Sequence, residues 1–202
     1  MLFLFVFLIL QVFTCKVLTA PTESQTNPVG VNDVAFIKLG TYRGFTDGDT
    51  EYQKSYFLSR YSSSLWAESH AICNAYNLEL ASMETLQEAR VFLSMTENDT
   101  NIKSLTAVWL WIDAITLVEK STNDWYWTKS GKKISFSLDW IDGNPSGNGQ
   151  FCLVVGKANI NTKFAFNDGN CGSSFKFVCQ RIDYSHSCRK SIKKKSQFSI
   201  ED

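Results

Sequence analysis

Histidine is almost missing from this chain. His70 and His186 are its two copies, and neither stands in a recognisable nucleophile or metal-ligand spacing, so the sequence gives little support to an enzyme. Net charge is missing too: 20 Lys and Arg residues balance 20 Asp and Glu, for a formal charge of +0. With no global field to steer it, the chain has no reason to seek nucleic acid or an anionic membrane, and an electrostatic partner must be met by a local patch. There is no internal repeat. There is also no apolar run of the roughly 20 residues that a bilayer span needs. The longest runs from Leu2 to Leu10 and, after Gln11, continues only through Val12 and Phe13.

That run has the size of a secretory h-region, and residues 1–20 read as a cleaved signal peptide, although the usual Lys or Arg before it is absent. Pro21 is awkward next to a scissile bond after Ala20, so the cut can fall a few residues earlier. Residues 21–33, PTESQTNPVGVND, are a polar leader. A chain of 202 residues with 44% hydrophobic composition affords one domain with a full core. Loss of Cys15 with the signal leaves Cys73, Cys152, Cys171, Cys179 and Cys188 in an oxidising compartment where pairing is expected. Five is odd, so one thiol stays free or joins another chain. His70 and Cys73 have the i, i+3 spacing of zinc ligands, but Cys73 is better used in a disulfide. Asn98-Asp99-Thr100 is a glycosylation sequon in a polar stretch, as a secreted surface loop would carry.

Along the chain, Val34 to Leu39 is strand-like, Gly40 to Gln53 reads as a loop, and Tyr56-Phe57-Leu58 as a strand. SSSLWAESHAICNAY reads as a helix begun by a serine cap, with Trp66 and Cys73 on one face. Thr85 and Glu88 form a capping-box signature for a second helix striped by Leu86, Ala89 and Leu93. After residue 107 come VWLWIDAI, DWYWTKSGKKISF with a Ser130-Gly131 turn, FCLVV, KFAF and SSFKFVC, short runs typical of an antiparallel sheet. In the last, Phe175, Phe177 and Cys179 alternate with Lys176 and Val178, as in a strand with one buried face. Two helices followed by an irregular sheet predict an α+β domain over residues 34–182. Residues 183–202 form a basic tail with Arg189, Lys190, Lys193, Lys194 and Lys195, either a solvated end or a patch for sulfated glycans and acidic surfaces. Five of the six tryptophans, Trp109, Trp111, Trp125, Trp127 and Trp140, read as core packing, with Trp125 the best exception as a sugar-stacking ring.

The ordered set of Trp66, Cys73, Leu80-Ala81-Ser82-Met83 with Glu88, Trp111-Ile112-Asp113-Ala114, Trp127, Trp140, Gly143, Cys152, Cys171 and Cys179 resembles the C-type lectin-like domain, in particular the small secreted single-domain lectins of insects. The likeness runs from about Val34 to Arg181; Asp113 stands where the family has glycine. It implies a C-type lectin-like fold of two helices, an irregular antiparallel sheet and a long loop. It also implies that Cys73 pairs with Cys179 and Cys152 with Cys171. The first bridge closes a loop of more than 100 residues, worth roughly 4–5 kcal/mol in the chain-entropy model. Cys188 has no counterpart, which leaves an interchain disulfide, a free thiol or another partner open.

Sugar-binding members hold one calcium in the long loop through a Glu-Pro-Asn or Gln-Pro-Asp turn, a glutamate two residues before the next cysteine, and a Trp-Asn-Asp strand. Calcium takes six to eight oxygens, and two vicinal sugar hydroxyls can complete the set. Carried over, the positions are Asn144-Pro145-Ser146, Gln150 and Phe166-Asn167-Asp168. Only Pro145, Asn167 and Asp168 match the pattern. Each substitute offers an oxygen, but one carboxylate remains where the mannose-type pattern has three. The loop to Cys152 is also short. Affinity for calcium follows ligand charge, so binding is expected to be millimolar at best or absent. The plainer alternative has Asn167 and Asp168 capping a turn, Pro145 shaping the loop through a cis bond, and no ion.

The resemblance therefore implies a secreted, non-enzymatic protein that recognises glycans or glycoproteins. The competing expectation is a calcium-independent protein-binding module on the same fold, disulfide-linked to a partner through Cys188.

Overall fold

A computed structural model describes residues 35–46, 50–60 and 63–185. The expected signal and leader segments, Cys188, His186 and the basic run lie outside the described residues.

The chain begins with a hairpin, β1 (Phe36–Phe45) and β2 (Glu51–Ser59). This corrects the loop expected from Gly40 to Gln53: those residues pair from Gly40↔Tyr56 to Phe45↔Glu51. The glycines that suggested a loop allow close approach instead. A Cβ on Gly40 would lie 2.8 Å from Met95 Sδ, and one on Gly44 2.7 Å from the Tyr52 ring. The helices α1 (Trp66–Ala75) and α2 (Leu86–Asn98) follow, separated by the short β3 (Glu79–Leu80). The N-cap of α1 is Leu65 rather than a serine. Its orphan amide is met by the Glu68 carboxylate at 3.0 Å, which leaves no need for a serine side chain. In α2 the expected cap is half realised. Thr85 accepts from the Glu88 amide at 3.1 Å, whereas the Glu88 side chain reaches past Thr85 to the Glu84 amide at 2.8 Å.

A single turn of helix, α3 (Thr100–Lys103), is an addition to the two expected. The sequon Asn98 is exposed at the α2–α3 junction, and Asp99 caps α3 by accepting from the Asn101 and Ile102 amides. The remaining elements are β4 (Val108–Thr116), β5 (Trp125–Tyr126), β6 (Cys152–Lys157), β7 (Ala165–Gly169) and β8 (Lys176–Tyr184). The last continues two residues past the domain end expected at 182. The sheet order is β1-β2-β8-β4-β6-β7, with β3 on β8 and β5 on β4. Its pairings are antiparallel except β4 with β8, which is parallel.

Because β8 sits in the middle of the sheet, both its faces are covered. Phe177 and Cys179 join one apolar cluster with Trp111, Val154 and Cys73, and Val178 joins the other with Tyr56, Phe92 and Leu110. The single buried face expected of this strand is thereby corrected: a central strand of a covered sheet is apolar on both sides. Disulfides Cys73–Cys179 and Cys152–Cys171 lie in or against the first cluster. Trp66 Nε1 donates to the Ile112 carbonyl at 2.9 Å and ties α1 to β4. No helix among the described residues is long and apolar enough to cross a membrane.

Candidate functional site

The long loop leaves the sheet at Trp140, which bridges Phe166 of β7, and returns at Cys152. The Asn144-Pro145 bond is cis, and Gly147, Asn148 and Gly149 take φ of 72°, 56° and 77° in succession. Glycine suits two of these left-handed positions. At Gly147 there is a second reason, since a Cβ would meet Lys120 Cγ at 2.7 Å. The segment before β5 therefore packs directly on the loop.

Asp168 is 1% exposed. Its Oδ1 accepts from the Ser146 amide at 3.0 Å and its Oδ2 from the Gly147 amide at 2.7 Å. Gln150 Nε2 donates to the Ser146 hydroxyl at 3.1 Å, and Asn144 Nδ2 donates to the Asp142 carbonyl at 3.3 Å. A residue not singled out from sequence, Glu119, accepts from the Gly149 amide at 3.0 Å. The two partners are 30 positions apart in sequence, and no local pattern links them.

Of the five predicted ligands, the fold brings Ser146, Gln150 and Asp168 together through these bonds. Asn144 is turned to its own segment. Asn167, the neighbour of Asp168 on β7, shares a pocket with Asp168 and Gln150. The pocket, about 360 Å³, is also lined by Asn148, Asn170, Ser173 and the half-buried rings of Trp109 and Phe175. Asn167 Oδ1 is buried and has no hydrogen-bond partner.

Calcium would need carboxylate oxygens free to coordinate it. Here both oxygens of Asp168 already accept from backbone amides and Glu119 accepts from a third, bonds that are charge-assisted and about twice as strong as neutral ones. Among the described residues, no three of His, Cys, Asp and Glu cluster together. As arranged, this donor set does not fit a calcium ion.

Three other features help to define the site. Trp125 is 1% exposed, with Nε1 donating to the Ser121 carbonyl at 2.7 Å, so the suggested stacking ring is core. The Asp113 that replaces the family's glycine is fully buried. It accepts from the Thr128 hydroxyl and amide and from the Lys129 amide at 3.0 Å, and lies 3.3 Å from His70 Nε2. It thus anchors the turn after β5, and His70 of α1 faces this carboxylate. A larger cavity, about 650 Å³, opens elsewhere between the β1–β2–β8 ribbon and residues 127–135. Phe45, Tyr52, Lys54, Trp127, Lys132 and Tyr184 line it, and it contains none of the predicted ligands.

Residues 62–181 match the family model described as the lectin C-type domain. Among solved structures, the C-type lectin domain of murine dendritic cell inhibitory receptor 2, in complex with N-glycan, superposes with a TM-score of 0.51 and 20% identity, covering 63% of this chain and 90% of that one. The mouse scavenger receptor C-type lectin carbohydrate-recognition domain gives 0.45 and 19%, covering 68% and 91%. Herring type II antifreeze protein gives 0.47 and 18%, covering 63% and 90%. No curated protein matches the sequence.

Proposed function

The chain belongs to the C-type lectin domain family, and from that premise we propose that it is a secreted carbohydrate-recognition protein whose long-loop site works with weak calcium or none. The family is in general a carbohydrate-binding one. The apolar start of the chain, the two disulfides and the exposed sequon at Asn98 support export and glycosylation. The observation that carries the calcium part is Asp168, whose two oxygens are both engaged by the Ser146 and Gly147 amides. In this reading the ligand is a glycan or glycoprotein, the chain catalyses nothing, and Cys188 joins a second chain.

Calorimetry on the mature protein, with and without calcium and simple sugars, tests this. Sugar heats that survive a chelator are expected. The absence of heat with any sugar in both conditions, together with a silent glycan array, would remove the carbohydrate reading. Non-reducing gel mobility of wild type against Cys188→Ser checks the interchain bond, and a single monomer band in both would refute it.

One observation favours a second reading, a protein-binding module on the same fold. Leu117 and Val118 are 83% and 51% exposed, directly before the Glu119 that holds the loop. An apolar tip beside the site suits a protein surface better than a sugar. Leu117→Ser should leave sugar heats unchanged in the first reading and abolish partner capture in the second.

A further inference from the structure

We infer that two carboxylates, Asp168 and Glu119, hold the long loop in shape through its backbone amides, and that the amide-lined pocket beside it takes an uncharged sugar directly, with no metal bridge. The second half rests on the carbohydrate reading above; the first does not.

Three of the loop's backbone donors are accounted for by these two side chains. Ser146 and Gly147 donate to Asp168 at 3.0 and 2.7 Å, and Gly149 donates to Glu119 at 3.0 Å. The loop closes on itself through Gln150 N to Gly147 O at 3.2 Å and Gln150 Nε2 to Ser146 Oγ at 3.1 Å. A buried amide without a partner is costly, so the buried Gly147 amide needs an acceptor facing it, and the more exposed Gly149 amide finds one as well. Two anions placed from different strand ends supply them. A cation would organise such a loop from the other direction, by gathering its oxygens. Here the loop's amide protons point inward, and a cation at the same place would meet donors.

The pocket has a matching character. Its polar lining comes from Asn148, Gln150, Asn167, Asn170 and Ser173, all uncharged, and the one carboxylate at its edge is committed to the loop. Side-chain amides carry both donors and acceptors and so suit hydroxyl or acetamido groups. Asn167 Oδ1, buried and without a partner, calls for a hydrogen-bond donor. No cation lines the pocket to compensate a sulfate or carboxylate, so an acidic sugar would lose hydration there without recompense. Trp109 and Phe175 offer an apolar side to the same ligand.

The test is ¹H–¹⁵N NMR of the mature chain with calcium, with chelator, and then with N-acetylglucosamine or its 6-sulfate in chelator. The Ser146, Gly147 and Gly149 amides should ignore calcium and chelator. Asp168→Asn should move Ser146 and Gly147 but not Gly149, and Glu119→Gln the reverse. N-acetylglucosamine should shift the side-chain amides of Asn148, Gln150 and Asn167 in chelator, the sulfated sugar should not, and Asn167→Ala should weaken binding about fivefold, the worth of one hydrogen bond. Calcium that displaces the Ser146 and Gly147 resonances would overturn the clamp. Sugar binding that requires calcium would overturn the direct pocket while leaving the carbohydrate reading intact. No sugar binding in any condition, with the amides behaving as expected, would remove the carbohydrate reading and leave the clamp standing.

Discussion

Two buried carboxylates, at opposite ends of the fold's design, are neutralised in different ways. Glu88, beneath the large cavity, is met by an opposite charge: Lys54 Nζ lies 2.6 Å away with both side chains 1% exposed or less. Tyr56 donates to the same oxygen at 2.6 Å, and Lys54 also donates to the Ser82 carbonyl at 3.1 Å. Asp168, in the long loop, is met only by backbone dipoles. The first arrangement joins strand β2 to the start of α2 and belongs to the global fold. The second joins a strand to its neighbouring loop and belongs to local shape. A charge pair concentrates its cost in two side chains, whereas amides distribute theirs over a backbone that only this loop conformation presents.

The largest effect should come from breaking the charge pair. Lys54→Met leaves Glu88 buried and uncompensated, which typically costs about 3–5 kcal/mol, and a denaturant melt should show it across the whole transition. Lys54→Met with Glu88→Leu should recover most of the loss; a double variant as unstable as the single would contradict the pairing argument. Removing the loop's covalent tie comes next. Cys152→Ser with Cys171→Ser opens a bridge with a sequence separation of 19 and should cost about 3 kcal/mol. Hydrogen exchange should rise most around residues 143–150.

Asp168→Ala orphans the Ser146 and Gly147 amides and should cost about 1–3 kcal/mol, read as faster exchange in the loop with the β2–β8 amides unchanged. If those core amides loosen equally, the division between global and local roles is wrong.

Alkaline titration probes the Glu88 end without mutation. Burial, and then the nearby Glu88 charge, push the Tyr52 phenol up from its usual value of 10.0, and the same causes push up Tyr56. Since the folded values are raised, this stabilisation is full below the unfolded value near 10 and is lost as pH rises above it. Phenolate absorbance should therefore show both rings silent until the chain unfolds in base.

The smallest effect concerns an exposed pair. Lys133 donates to Asp124 at 2.8 Å, and that bond, followed by one from Ser121, lowers the Asp124 carboxyl below its ordinary value. Its contribution is present above the unfolded value and fades as pH falls through the folded one. Lys133→Ala should return the Asp124 titration toward normal by NMR without a measurable change in the melt.

Much of this fold could be read from spacing. The two helices, the strands after residue 107 and the α+β class follow from periodicity and turn residues, and the lectin C-type framework from the family resemblance that the ordered Trp and Cys positions carry. The larger errors arise where tertiary contact reassigns a local signal. Gly40 and Gly44 look like loop glycines until Met95 and the Tyr52 ring are seen against them. Trp125 looks available until its ring is found beside Trp140 at 5.5 Å. The alternation in β8 suggests one covered face because sequence does not show which strands flank it. At the site, the loop and its polar residues were legible, but the bonds among them were not. For Asp168 the sequence offered two uses, an oxygen for an ion or a cap for a turn, and its two oxygens accept from the Ser146 and Gly147 amides; Glu119 left no trace in its neighbourhood.

The placement of β8 has a mechanical corollary. Phe36 pairs with Ser59, Leu58 with Val178, and at the other end Phe45 pairs with Glu51 and Tyr52 with Tyr184. The described chain thus enters at one end of a three-stranded ribbon and leaves at the other. Force applied through Phe36 and Tyr184 would load the β1–β2 and β2–β8 ladders along their length, so their hydrogen bonds would have to give together rather than peel one by one. Tethered at both ends, the domain should resist pulling as a clasp in shear, with its lifetime set by the unfolding rate.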